Sequence, residues 1–241
     1  MSDGVFDAEV AETYDANHVG ADPALVTRCV DILAVLANGG AALEFAIGTG
    51  RIALPLAAQG VPVSGNELST AMLAQMRKKP GGADIPVVVG DMTQVQVDGD
   101  FSLVYLVYNT IDNLTTQDAQ VACFENAARH LRPGGCFVVE TLVPPLQRLP
   151  FGETHVPFAH DPDHWGVDEI DVVTQSYSSH HLWIKDGQAE HLSAPFRYAW
   201  PAELDLMARI AGMSLEHRWQ DWTRAPFTNM SKTHVSVWRK L

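Results

Sequence analysis

The chain has 241 residues, 46 % apolar and 19 % charged, with a formal net charge of −13. That length suits one domain with a sizeable core, or one domain carrying an insertion. The acidic balance argues against nucleic acid and anionic membrane as partners.

From about Asp7 to Asn38 the pattern is helical, with Leu25, Val26, Cys29, Ile32, Leu33 and Leu36 at three- and four-residue spacing before Gly39-Gly40. "AALEFA" then reads as a short strand, "GTG" as a turn, and Arg51 to Gln59 as a helix ended by Gly60. "VPVSGNE" is a second strand, and Ser69 is placed to cap a helix from Thr70 to Lys79. "IPVVVG" and the wholly apolar "FSLVYLVY" are the third and fourth strands. A continuous apolar run suits a strand buried on both faces of a parallel sheet. Thr116 to Leu131 is a helix, "RPGG" a turn, and "CFVVETLV" a fifth strand. This alternation predicts a parallel sheet with right-handed crossovers, binding its ligand outside the carboxyl ends of the strands.

After Pro144 the texture changes. "PPLQRLPFGETHVPFAHDPDHWG" reads as loop. Two β-like runs follow, Ile170 to Ile184 and Ala189 to Ala199, joined at the turn signal Asp186-Gly187. Pro201 to Ala211 returns to helix, and "MSLEHRWQDW" and "THVSVWRK" read as two last strands. All six tryptophans lie beyond Pro144. The expected organisation is therefore 1–143 for the N-terminal helices and cofactor-binding half, 144–199 for a β-rich insertion that lids the acceptor site, and 200–241 for the closing helix and strands. Overall this is an α/β, Rossmann-like doubly wound fold, with a mostly parallel seven-stranded sheet and an antiparallel β insertion after strand five.

Cys29, Cys123 and Cys136 are far apart and odd in number, which fits buried, reduced thiols. The N-terminus lacks an apolar signal-peptide core, and no apolar run is long enough to span a bilayer, so a cytoplasmic location is expected.

Gly48-Thr49-Gly50-Arg51-Ile52-Ala53 fits G-x-G-x-x-G/A between a strand and a helix, with Glu67 ending the next strand 19 residues after Gly48. The motif alone leaves a nicotinamide dinucleotide and other nucleosides open. Glu44 narrows the choice. A carboxylate beside the glycine loop opposes a pyrophosphate and favours a cationic ligand such as S-adenosylmethionine, with its sulfonium and ammonium.

The stretch "LEFAIGTGRIALPLAAQGVPVSGNELSTAML" resembles the first two motifs of the class I S-adenosylmethionine-dependent methyltransferases of small-molecule type. "VVVGDMTQV", "FSLVYLVYNTIDNL" and "ENAARHLRPGGCFVVET" resemble the third, fourth and fifth segments in order, and "AWPAELDLMARIAGM" resembles a later one. The resemblance implies S-adenosyl-L-methionine as cofactor. It implies that Gly48 and Gly50 admit the cofactor closely, and that Glu44 holds its amino group, directly or through water. Glu67 would accept from both ribose hydroxyls and Asp91 from the adenine amino group, with Met92 and Leu68 on either side of the ring. Tyr108 and Asn109 would flank the methionine moiety, Tyr14 would close over it, and Arg51 would pair with its carboxylate. Ala46 stands where the family usually has glycine.

Methyl transfer is a direct displacement, so acceleration comes from positioning and desolvation, with a base only for a protonated acceptor. Six of the ten histidines lie between His155 and His191. His181 is the favoured base, sharing a strand face with Tyr177 and Trp183, and His155 and His160 come next. The histidine spacing matches no zinc motif, so no metal is expected. The acceptor should be a small metabolite or natural-product intermediate, modified at O, N or C. A homodimer is compatible with the chain. The competing readings are a non-methylating member of the fold, as a cyclase or partner module, and a nicotinamide oxidoreductase.

Overall fold

In the computed structural model, residues 6–17, 23–185 and 187–241 are described. Helices α1 (Ala8–Asn17) and α2 (Pro23–Ala37) precede the sheet. The first half continues β1 (Ala41–Glu44), α3 (Ala53–Ala58), β2 (Val63–Glu67), α4 (Thr70–Arg77), β3 (Val87–Val89) and β4 (Phe101–Leu106). Then come α5 (Gln117–His130) and β5 (Leu131–Leu142), and after an insertion α6 (Pro201–Ile210), β10 (Met213–Trp219) and β11 (Thr233–Lys240). Local chemistry sets the starts of α4 and α5: the Ser69 hydroxyl accepts from Met72 N–H, and that of Thr116 from Ala119 N–H.

The seven strands order as β10-β11-β5-β4-β1-β2-β3. β1 lies parallel between β2 and β4, while β11 runs antiparallel to both β5 and β10. The order reverses between β1 and β4, which places the ligand crevice where Glu44 and Leu106 end their strands. Every residue of β4 is buried, as its apolar run requires. Two cores flank the sheet. One packs α2 and α3 through Leu33, Ile52 and Leu56, and the other packs α5 and α6 through Phe124, Leu204 and Trp238.

The insertion is a four-stranded antiparallel sheet in the order β6-β7-β8-β9 (His155–His160, His164–Asp171, Ser176–Lys185, Gln188–Arg197). This corrects the loop expected before Gly166, which holds β6 and the start of β7. It also splits the run expected from Ile170 to Ile184. Asp171 accepts from Val173 N–H and the Thr174 hydroxyl, and Gln175 takes φ +60°, so the chain turns there. The small sheet has its own cluster, Val156, Ile170 and Tyr198, which also takes in Leu142 at the end of β5. Arg197, buried at its end, bonds Glu203 of α6 at 2.7 Å and Gln175, and Gln120 of α5 donates to its carbonyl. No helix among the described residues is long and apolar enough to cross a membrane.

Candidate active site

The glycine loop is held by two internal carboxylates. Glu67, at the end of β2, accepts from Gly48 N–H at 2.7 Å through one oxygen and from Ser69 N–H at 2.8 Å through the other. Glu44, at the end of β1, is buried; it accepts from the Tyr105 hydroxyl at 2.9 Å and from Ala53 N–H, the first residue of α3. The N–H groups that a dinucleotide fold offers to a pyrophosphate are thus met by protein carboxyl groups. Burial, opposed by the Tyr105 hydrogen bond, raises the Glu44 carboxyl to about 8. That is the state of an acid waiting for a cation.

Gly48 and Gly50 take φ +56° and +76°, and a Cβ on Gly50 would meet the Met76 side chain at 2.9 Å. The backbone therefore demands glycine even before a ligand is considered. Ala46 takes φ +51° and donates to the Asn66 side chain, which explains why glycine suits its position. Ala46→Gly is expected to leave stability equal or raise it by up to ~1 kcal/mol, relieving left-handed strain against added chain entropy. A loss above ~1 kcal/mol in urea unfolding would contradict this.

Helix α1 closes one side. Asp15 accepts from the Thr49 hydroxyl at 2.7 Å and pairs with Lys79 at 2.6 Å. Tyr14, half-buried, lies with its ring centroid 5.8 Å from the Arg51 guanidinium. On the other side the same guanidinium sits 3.6 Å from the centroid of Tyr108. Tyr108 and Asn109 both take left-handed φ, +57° and +56°, a conformation held by Glu140. The Glu140 carboxylate accepts from Tyr108 N–H at 3.1 Å and its carbonyl from Asn109 N–H at 3.2 Å. Two adjacent strained residues of this kind occur where structure serves a ligand. Asp91 accepts from Thr93 N–H through one oxygen, Met92 beside it is buried, and Leu68 is half-buried after Glu67.

The expected cofactor residues thus gather around the ends of β1, β2, β3 and β4. The histidines divide. His181 shares the face of Tyr177, as expected, and lies in a mutual triad of near-parallel rings with Trp183 at 4.8 Å and His164 at 5.2 Å, the two histidines joined by a 2.9 Å hydrogen bond between ring nitrogens. His155 and His160 pair in register with Glu169 and Trp165, on the opposite face of the small sheet. Their contacts there are the Thr154 hydroxyl and the Trp165 ring. Sequence reasoning passed over Asp15, Tyr105, Glu140 and Asp112. Asp15 adjoins Tyr14 in "ETYD", and Glu140 near the end of β5 was the one readable signal among the rest.

Residues 42–135 match the methyltransferase domain family. The chain is also 34 % identical to the CcbJ methyltransferase of Streptomyces caelestis, over 100 % of this chain and 99 % of that one, with a TM-score of 0.88. It is a class I S-adenosylmethionine-dependent methyltransferase of small-molecule type. This methyltransferase is also 27 % identical to the cypemycin N-terminal methyltransferase of a Streptomyces species, over 83 % of each chain. It is 32 % identical to the dTDP-3-amino-3,6-dideoxy-alpha-D-glucopyranose N,N-dimethyltransferase of Streptomyces fradiae, over 56 % of this chain and 54 % of that protein. Its cofactor is S-adenosylmethionine, which the donor set fits: two buried carboxylates, two tyrosines and an arginine suit a zwitterionic amino acid head on a nucleoside. The nicotinamide reading of the glycine motif falls with the family, and the methyltransferase acts on small molecules.

Proposed function

We propose that the chain methylates the nitrogen of a small-molecule amine. The observation that carries this is the charge of the acceptor sheet. Among the described side chains from His155 to Arg197 stand six acidic residues, Asp161, Asp163, Asp168, Glu169, Asp171 and Glu190, against Arg197, and Arg197 is consumed by Glu203. Such a surface suits an acceptor that arrives as an ammonium. Relatives named for N-terminal and amino-sugar N-methylation agree with it.

In this reading residues 144–199 form the lid over the acceptor, and 1–143 and 200–241 the body. Glu67 takes the ribose hydroxyls, Asp91 the adenine amino group between Met92 and Leu68, and Arg51 the cofactor carboxylate. Glu44, already engaged by Tyr105 and Ala53, reaches the cofactor amino group through a water. Tyr14, Tyr108 and Asn109 enclose the methionine moiety, and Ala46, Gly48 and Gly50 shape the loop. The cofactor supplies an electrophilic methyl, and the chain must bring the acceptor nitrogen in line with it as an unprotonated lone pair. His181, on the face of Tyr177, is the base that takes the ammonium proton. The protein works in the cytoplasm without nucleic acid or membrane, as a monomer or homodimer.

The test is transfer of tritiated methyl into matched pairs of amines and alcohols, including amino sugars and their hydroxy counterparts. Transfer to amines alone is expected. Transfer to alcohols with the matched amines untouched would overturn the reading.

A further inference from the structure

Asp112 lies three residues beyond Asn109, and its side chain is buried where the cofactor body meets the small sheet. Its N–H closes a turn on the Asn109 carbonyl at 2.9 Å. One carboxylate oxygen accepts from the Thr141 hydroxyl of β5 and the other from the Tyr177 hydroxyl of β8, each at 3.1 Å. One side chain thus ties the strained Tyr108–Asn109 loop, β5 and the acceptor sheet together. Tyr177 is half-buried, and with Leu146, Leu149, Ile170 and Glu153 it lines a cavity of about 690 Å3, a size that suits a small natural product.

The direction of the hydrogen bond matters. With its proton given to Asp112, the Tyr177 oxygen can offer only lone pairs to a third group. It can accept from an N–H and cannot donate to a carbonyl. We infer that Tyr177 selects and orients the acceptor amine by accepting its N–H, and that Asp112 is a positioning residue that holds the Tyr177 hydroxyl in that role. This rests on the amine reading above.

The arrangement requires an ionised Asp112, because a protonated carboxyl no longer accepts through both oxygens. Burial raises Asp112 to about 7 against the Thr141 and Tyr177 hydrogen bonds and the field of Arg197 on β9. Of the titratable groups on neighbouring strands, Asp168 on β7 acts on Tyr177, and His234 lies on β11. His234 stands in register with Thr141, and burial with Arg218 lowers it to about 3, so it stays neutral.

The test compares Tyr177→Phe, Asp112→Asn and the double variant on an amine that the wild type methylates. Each single variant should lower kcat by ~10–100-fold, the cost of one lost orienting hydrogen bond. Affinity for S-adenosylhomocysteine should stay within about twofold. The double variant should be no worse than the single ones, because Asp112 acts through Tyr177. In wild type, kcat should rise with pH through about 7, and Asp112→Asn should remove the part of that limb that Asp112 contributes, leaving only the contribution of the base. Thermal unfolding above that pH guards against misfolding, since removing a buried charge should make Asp112→Asn at least as stable as wild type. Additive losses, an unchanged pH limb, or Tyr177→Phe within twofold of wild type would overturn the assignment. A wild type that methylates alcohols and no amine would instead overturn the amine reading, and this inference with it.

Discussion

Glu67→Ala is expected to lose S-adenosylmethionine binding by roughly 100-fold or more, the largest effect of any cofactor-side substitution. Glu67 does two things at once. Its two oxygens fix Gly48 N–H and Ser69 N–H, and on the reading above their remaining lone pairs take the ribose hydroxyls. Removing the carboxylate frees the glycine loop, strands two backbone donors and deletes the ribose acceptor. Hydrogen bonds to a charged group are each worth ~1.5–3 kcal/mol, so two of them account for the loss. Glu67→Gln should be nearly as damaging, because an amide accepts through one oxygen and its NH2 would face the second backbone donor. Isothermal calorimetry with S-adenosylhomocysteine checks this. Binding of Glu67→Ala within tenfold of wild type would remove Glu67 from the site.

Glu44→Gln should weaken the cofactor and strengthen the fold. Glu44 is raised from 4.5 to about 8 by burial. Between those values the folded chain keeps a proton that the unfolded chain has lost. Stability therefore falls as pH rises through this window, and the full penalty is present above about 8. Glutamine keeps an oxygen for Ala53 N–H and offers its NH2 to the Tyr105 oxygen, which as a hydroxyl can accept as well as donate, all without the charge. The variant should unfold on the order of 5 °C higher than wild type at alkaline pH, with the difference vanishing in acid. Cofactor affinity should fall ~10- to 100-fold. In wild type it should climb with pH toward about 8 as Glu44 ionises beside the bound cation, and in the variant that climb should be absent. Calorimetry across pH and scanning calorimetry read the two effects. A variant less stable at alkaline pH with unchanged affinity would show that Glu44 is only structural.

Much of this was legible in the chain. The parallel half of the sheet follows from apolar runs alternating with helical periods, and "FSLVYLVY" announced a strand buried on both faces. Glu44 and Glu67 stood out because carboxylates are out of place at the ends of buried strands. What Glu44 does was less legible, because Tyr105 comes from 61 residues away and Ala53 from the next helix. A carboxylate in this stretch of chain repels a phosphate; in the fold it is already seated on the helix end a phosphate would use.

The small antiparallel sheet was harder. β6 carries Pro157 and mostly exposed side chains, so it lacks the alternation that marks a half-buried strand. His181 could be placed on the face of Tyr177 by parity, but the outward facing of His155 and His160 depends on register with β7. Asp112 reads as a turn residue in "NTIDNL". Its burial exists only once Thr141 and Tyr177, 29 and 65 residues away, close over it.

The central claim is that internal carboxylates shape the glycine loop for a cationic amino acid head and close it to phosphate. Parallel calorimetric titration of the wild-type chain with S-adenosylhomocysteine and with NAD tests it most directly. The account predicts tight binding of the first, with protons released near neutral pH as Glu44 ionises, and no binding of the second. Binding of NAD, or binding of S-adenosylhomocysteine without proton release, would contradict it.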